Sequence, residues 1–544
     1  MSVRLPTPAD TAAGTQTPPG ERRTRVSTST RRRTGGGGGP SRTPPGIAPS
    51  RRPAPSVPAP PPRWATTSRR SSATSSRECQ GVPRCAHGRS TGRRPRVTRH
   101  RHAARVTEGA ACRWLGFAGA TALALGGLGG AGALPVQDIL THPSLGVFAA
   151  YFGLVLLIAA WWWLGRIIRS SPTPTRCRDL VLVLALWAAP LLLAPPLFSR
   201  DVYSYLAQGA MVRAHIDIYA YGPDQLGGPL AAQVPPIWRD TPAPYGPVFL
   251  ALAAALEPAG VAGMRLAALG GVALMAALLP RLARRCGADP AAALWLGGLN
   301  PLVLLHLVAG AHNDAVMLGL LGAGLLAALA GAPVRATVLV TLAALVKAPA
   351  APALVAVALL WQTQLGGDRH AAARAWAAVA GLAATVTAAV TAATGTGYGW
   401  LSALSTPVTP LSWSLTAALG HAFGDVPLWR AAGLTATAAT ALILWRRRTR
   451  LGPIYALGLT LTALALLGPA IRPWYILWGC FLIAAAAPHT SRIRRHTATL
   501  SALMALAVLP SGFAPHGNQV ALAVGGGALA ALTLLCLRAV RTPT

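Results

Sequence analysis

Acidic residues are scarce in this chain, 15 in 544. One of them, Asp201, falls within Arg200-Asp201-Val202-Tyr203, where an apolar run that begins near Leu180 ends. Three other patches carry charged groups, aromatic rings or both: Thr241-Pro242-Ala243-Pro244-Tyr245-Gly246-Pro247, Gly310-Ala311-His312-Asn313-Asp314, and Arg472-Pro473-Trp474-Tyr475. The only lysine is Lys347, and the segment 395–426 adds Tyr398, Trp400, Ser412 and Trp413. A carboxylate can take the proton of an attacking hydroxyl, and cations can receive the charge of a departing phosphate. Flat aromatic rings pack against sugars. Brought to one place, these residues suit sugar transfer from a lipid-phosphate donor.

Each residue also has an ordinary reading. Tyr and Trp line membrane interfaces. Asp314 can cap a helix, Arg472 can snorkel, and Asp201 can mark a helix leaving the bilayer. The elements that carry them decide between these readings.

Hydrophobic residues make up 52% of the sequence and charged residues 12%, with a mean hydropathy of +0.44. Soluble domains carry about twice that charge fraction. Uncharged runs long enough to cross a bilayer, roughly 20 residues of helix, recur from about residue 112 to residue 538. The sequence therefore predicts an all-α polytopic membrane protein. Arginine clusters at 166–178, 281–285, 369–374, 446–450, 492–495 and 538–541 mark cytoplasmic loops under the positive-inside rule. Threading apolar segments between them gives about 13–14 transmembrane helices, with both termini cytoplasmic.

In that arrangement residues 199–258 form the main outer loop and 395–426 a second one. The stretch 248–256 is too short to span and is expected to lie along the surface. The run 335–362 is expected to break near Lys347, because Lys347-Ala-Pro-Ala-Ala-Pro352 disfavours one straight helix. Asp138, Asp201, Asp217, Asp224, Asp240, Glu257, Asp314 and Asp425 then fall outside or at the outer boundary. Acidic residues weigh little in topology, so that bias points to chemistry on the outer face. The bilayer core holds almost no acid, which weakens an ion-coupled transporter.

Residues 1–110 hold 22 arginines against Asp10, Glu21, Glu78 and Glu108, among many Pro, Ser, Thr and Gly. Too little apolar surface exists there to offset chain entropy. A disordered cytoplasmic tail is expected, followed by a membrane domain over 111–541, and no nucleic-acid partner. Cys79 and Cys85 with nearby histidines fit no standard zinc spacing. The seven cysteines suggest no disulfide framework.

Five stretches make the chain recognisable: "SRDVYSYLAQGAMVRAHIDIYAYGP", "TPAPYGPVFL", "NPLVLLHLVAGAHNDAVMLGLL", "LAALVKAPA" and "IRPWYILWG". In the same order and over roughly 112–538, they resemble the actinobacterial polyprenol-phosphate-mannose-dependent α-1,6-mannosyltransferases. These belong to the C-type glycosyltransferase superfamily.

The resemblance implies a multi-pass plasma-membrane enzyme whose first large outer loop carries an essential acid, here Asp201. It also implies a polyprenyl-phosphate-mannose donor and an α-1,6-mannan acceptor such as a cell-envelope lipoglycan. The superfamily resemblance implies a β-linked donor, so an α product means inversion by single displacement. Lys347 and Arg472, with Arg200, would bind the donor phosphate. Tyr203, Tyr245, His312, Asn313, Asp314, Trp413, Trp474 and Tyr475 would contact or orient substrate. One acid stands where many superfamily members carry a pair, so no metal or other cofactor is assigned. The rival readings are a related transferase for another sugar or acceptor, a lipid-linked sugar flippase or transporter, and a scaffold that recruits partners through its tail.

Overall fold

The computed structural model describes residues 96–128, 143–171, 174–405, 408, 414–488, 491–509 and 518–539. The tail expected over 1–110 lies outside them except at its end, where the first helix already begins. In chain order the helices are α1 (Arg96–Gly126), α2 (Pro143–Ser170), α3 (Cys177–Leu193), α4 (Asp201–Arg213), α5 (Gly228–Gln233) and α6 (Pro236–Arg239). Next come α7 (Pro247–Leu256), α8 (Gly260–Arg285), α9 (Pro290–Gly297), α10 (Asp314–Leu329), α11 (Pro333–Val346) and α12 (Ala353–Gln364). The last are α13 (Arg369–Thr394), α14 (Leu415–Phe423), α15 (Val426–Arg446), α16 (Arg448–Leu451), α17 (Pro453–Leu467), α18 (Ile476–Ala486), α19 (Arg492–Leu506) and α20 (Gln519–Ala539). Among the described residues every regular element is helical.

Five helical segments are long and apolar enough to cross a membrane: α2, the α7–α8 run, α13, α15 and α20. Only 11% of the apolar window of α13, and the same share of α15, is buried inside the protein. Leu442 and Ile443 on α15 are half exposed, as are Leu532 and Leu535 on α20. Apolar helix faces that the protein leaves uncovered need a hydrocarbon solvent. This is an all-α polytopic membrane protein.

The other expected crossings are shorter or broken. A π-helical turn at Val303–Ala309 and α10 make one more candidate span if the bent pair counts as one, and they meet at 108°. The apolar run 289–308 is thus α9 followed by that separate turn. Prolines bound the short ones: α11 starts at Pro333 and α17 at Pro453, and Pro469 follows the end of α17. The expected break at Lys347 is present, in extended backbone at φ −155° between α11 and a 3-10 turn at Ala348–Ala350.

The segment 199–258, expected as a loop, is largely helical and packed. Val202, Tyr203, Tyr205 and Leu206 of α4 are buried, because the apolar side chains there recur all round the helix rather than on one face. Within the same segment α7 buries Phe249, Leu250 and Ala253 against its neighbours. It packs on α4 and α11.

Two close approaches set this packing. A Cβ at Gly209 of α4 would strike the Ala253 carbonyl of α7, and one at Gly246 would strike the Leu345 carbonyl at the end of α11. Gly246 therefore lets Tyr245 reach the break that carries Lys347. Gly246→Ala should destabilise the protein by about 1–3 kcal/mol through overpacking. Thermal unfolding in detergent checks this, and an unchanged midpoint would show that the two backbones separate freely.

Candidate active site

The chain turns sharply between α3 and α4. Phe198 has φ +65°, a left-handed conformation that is a genuine outlier for a bulky residue. Its buried ring lies edge-on to His306, with centroids 5.9 Å apart. The following Ser199 accepts a hydrogen bond from the Asp201 amide at 3.0 Å, and Asp201 opens α4. A carboxylate in a first helical turn is favoured by the helix dipole. Strain of this kind persists only where surrounding contacts fix it.

A second turn faces the first. After the π-helical turn, Ala311 takes φ +53° and the chain bends into α10. His312 is fully buried, with Nδ1 2.7 Å from the His306 carbonyl oxygen and Nε2 3.5 Å from Asp201 Oδ2. A carbonyl only accepts, so Nδ1 carries a hydrogen. A favourable contact between Nε2 and the carboxylate then needs a proton between them. The Trp474 ring covers this pair, 4.1 Å from His312 and 4.9 Å from His306. The Asp201 side chain remains 19% exposed, so a small molecule can reach it. Burial pushes the Asp201 carboxyl up, but the hydrogen bond and charge of His312, with the Arg472 charge, outweigh it and hold the group below its usual value.

The third piece is a buried ion pair. Asp314, at the start of α10, is wholly buried. Its Oδ2 accepts from Lys347 Nζ at 2.7 Å and its Oδ1 from Trp478 Nε1 at 2.6 Å. Three rings surround the ammonium: Tyr475 at 5.1 Å, and Tyr245 and Trp478 each at 5.8 Å. Tyr475 and Trp478 stack at 4.1 Å. Cations over aromatic faces are attracted by the ring quadrupole.

These pieces meet at a cavity of about 610 Å³. Asp201, Lys347, Arg472, Tyr245, Trp474 and Tyr475 line it. Arg472 also lies over the Trp238 ring at 5.4 Å. Away from the charges the wall turns apolar, with Leu404, Val408, Leu434 and Leu464.

Other candidate residues lie elsewhere. Arg200 does not line the cavity; its guanidinium donates to the Gln233 carbonyl at 2.8 Å and lies 5.8 Å from the Tyr203 ring. Tyr203 is buried within α4's packing rather than in the cavity wall. His312, Asn313 and Asp314 are buried behind the wall. Both Asp314 oxygens are engaged, so it holds Lys347 and Trp478 in place. Trp413 lies outside the described residues.

Ser204, Gln208, Trp238 and Trp478 line the cavity and were not singled out from the sequence. The first two stand three and seven residues after Asp201, on its face of α4. Trp478 follows Trp474 by four. Helical spacing could have found these three, whereas Trp238 carried no such signal. Among the described residues no group of three or more His, Cys, Asp or Glu side chains could hold a metal ion.

Comparison with known proteins gives the lineage. The family described as "Alpha-(1->6)-mannopyranosyltransferase, N-terminal domain" matches residues 113–363, and "MptB C-terminal domain" matches 408–536. A probable alpha-(1->6)-mannopyranosyltransferase of Mycolicibacterium smegmatis is 34% identical, over 79% of this chain and 89% of that protein. Alpha-(1->6)-mannopyranosyltransferase A of Mycobacterium tuberculosis is 35% identical, over 74% of this chain and 84% of its own. Alpha-(1->6)-mannopyranosyltransferase B of Corynebacterium glutamicum is 34% identical, over 68% and 72%. No solved structure matches. The first matched region ends just past the Lys347 break and the second contains Arg472, so the cavity is built from both. The chain belongs to the alpha-(1->6)-mannopyranosyltransferase family.

Proposed function

We propose that this protein transfers mannose from polyprenyl-phosphate-mannose to an α-1,6-mannan acceptor of a cell-envelope lipoglycan, at the outer face of the plasma membrane with both termini cytoplasmic. The observation that carries this reading is a reachable Asp201 in one cavity with Lys347 and Arg472, whose wall turns apolar away from the charges. A lipid phosphate needs that polarity gradient: cations at the head and hydrocarbon beyond. The names of the relatives supply the sugar and the linkage.

The reaction is a single displacement. The acceptor's 6-hydroxyl oxygen forms a bond to the mannose anomeric carbon as the bond from that carbon to the phosphate oxygen breaks. The hydroxyl proton passes to Asp201, and the bonding electron pair leaves with the polyprenyl phosphate. Lys347 and Arg472 stabilise that developing charge, an effect larger in a water-poor site than in solution. Tyr245, Trp474 and Tyr475 offer the sugar flat faces. His312 orients Asp201, and Asp314 orients Lys347. No covalent intermediate is required, so one base suffices.

The test uses membranes with labelled polyprenyl-phosphate-mannose and a defined α-1,6-mannoside. Mannoside elongation with release of polyprenyl phosphate supports transfer. Donor movement across the bilayer without release would instead mark a flippase. Arg472→Gln should lower donor use by about 10- to 150-fold, the worth of a charge-assisted hydrogen bond. Arg200→Gln, whose parent side chain points at Gln233, should cost much less. Equal losses would mean that Arg200 turns into the site when the donor binds.

A further inference from the structure

The cavity at Asp201 does not end at its apolar wall. A second cavity of about 390 Å³ shares Pro352 with it. Three helices carry lining residues from one to the other in helical register. On α15 Leu434 lines the first cavity, and Ala441 and Trp445 line the second, at spacings of seven and four. On α17 Leu464 lines the first, and Thr460, Leu457 and Pro453 line the second, at spacings of four, three and four. Pro352, which caps the start of α12, leads to Val355 and Leu359 on that helix. Such spacings keep one helix face toward the groove. Eleven residues on α15 and eleven on α17 give the same length, ~16 Å at the helical rise.

The groove is effectively hydrocarbon. The Thr460 hydroxyl donates to the Ala456 carbonyl of its own helix at 2.9 Å, so it offers the groove no free donor. The one charged lining residue of the second cavity, Arg448, stands at its far end. There its guanidinium donates to the Trp445 carbonyl at 3.0 Å and lies 5.0 Å from the Trp445 ring.

We propose that this groove between α12, α15 and α17 binds the first isoprene units of the donor's polyprenyl tail, with Trp445 and Arg448 marking its end. The inference rests on the lipid-phosphate reading above. The occupant follows from continuity: a chain whose phosphate sits at Lys347 and Arg472 meets this wall next. Filling the groove should therefore penalise long donors selectively.

Ala441→Trp places a large ring in the groove's middle. The experiment compares kcat/KM for decaprenyl-phosphate-mannose with that for geranyl-phosphate-mannose, whose tail is too short to reach Ala441. The long-to-short ratio should fall about tenfold, since excluding as few as two methylenes is enough for that. Ile443→Trp, at a half-exposed position outside both cavities, should leave the ratio unchanged. An unchanged ratio in Ala441→Trp would overturn the proposal and assign the groove to ordinary bilayer lipid. Equal losses with both donors would overturn it too, since the damage would then lie at the site itself. Failure of the unaltered protein to use either donor would instead overturn the parent reading. The geranyl rate also reports whether the variant is folded.

Discussion

Asp201→Asn should lower mannosyl transfer by about 10²- to 10⁴-fold, the usual contribution of a general base, while protein level and donor binding persist. The side-chain amide keeps the shape, and the backbone N–H of residue 201 still donates to Ser199 Oγ, but the amide cannot take a proton. Asp224→Asn and Asp240→Asn, in the same segment but outside the cavity wall, should cost far less. The pH profile gives an independent check. A carboxyl held below its usual value stays ionised until the pH falls through that lowered value. Transfer, read as kcat/KM, should therefore hold from pH 7 to about pH 5 and decline only below the ordinary carboxylate range.

A base works best with a proton affinity near the working pH. The donor phosphate supplies a correction, since an anion beside Arg472 cancels part of the charge that depresses Asp201. Near-normal transfer by the Asp201→Asn enzyme would sink this mechanism.

The second large effect concerns Lys347, where the structure changes the experiment as well as the expectation. Removing its charge alone strands Asp314, which is wholly buried. Breaking a buried ion pair from one side costs about 3–5 kcal/mol, so Lys347→Met should unfold readily whatever it does for the donor. Asp314→Asn in the same chain removes the stranded charge, and its amide oxygen can still accept from Trp478 Nε1. The double variant should regain most of the lost stability in a detergent melting experiment. Transfer per folded molecule should nonetheless stay down by about 10- to 150-fold, because the cation facing the phosphate is gone. Recovery of both stability and transfer would make Lys347 a structural residue only. Asp314→Asn alone should loosen Lys347 and weaken donor use while leaving acceptor affinity little changed.

Much of this protein was legible in the sequence, for identifiable reasons. Uncharged runs of membrane length have one stable environment, so the helical membrane class followed from composition and spacing. Two prolines near Lys347 cannot continue a straight helix, so the break there followed as well. The five motif stretches marked the family. The sequence also named six residues that line one cavity: Asp201, Lys347, Arg472, Tyr245, Trp474 and Tyr475.

Only the tertiary structure decided what each charged group faces. Arg200 and Asp201 are adjacent in sequence, yet one turns to the Gln233 carbonyl and the other opens into the cavity. A left-handed turn at Phe198 and the first turn of α4 set their directions, and neither follows from residue type. From the sequence Asp314 was a helix cap or a residue that contacts or orients substrate. The structure buries it against Lys347 and Trp478, 33 and 164 residues away, because the chain bends after the π-helical turn. The segment 199–258 was placed as a loop because it falls between apolar spans threaded from the arginine clusters, but α7 and the close approach at Gly209 give α4 a packed place. Composition and local pattern fix which solvent a segment needs. Pairing between distant buried charges depends on backbone directions summed over many helices, and that sum exists only in the folded chain.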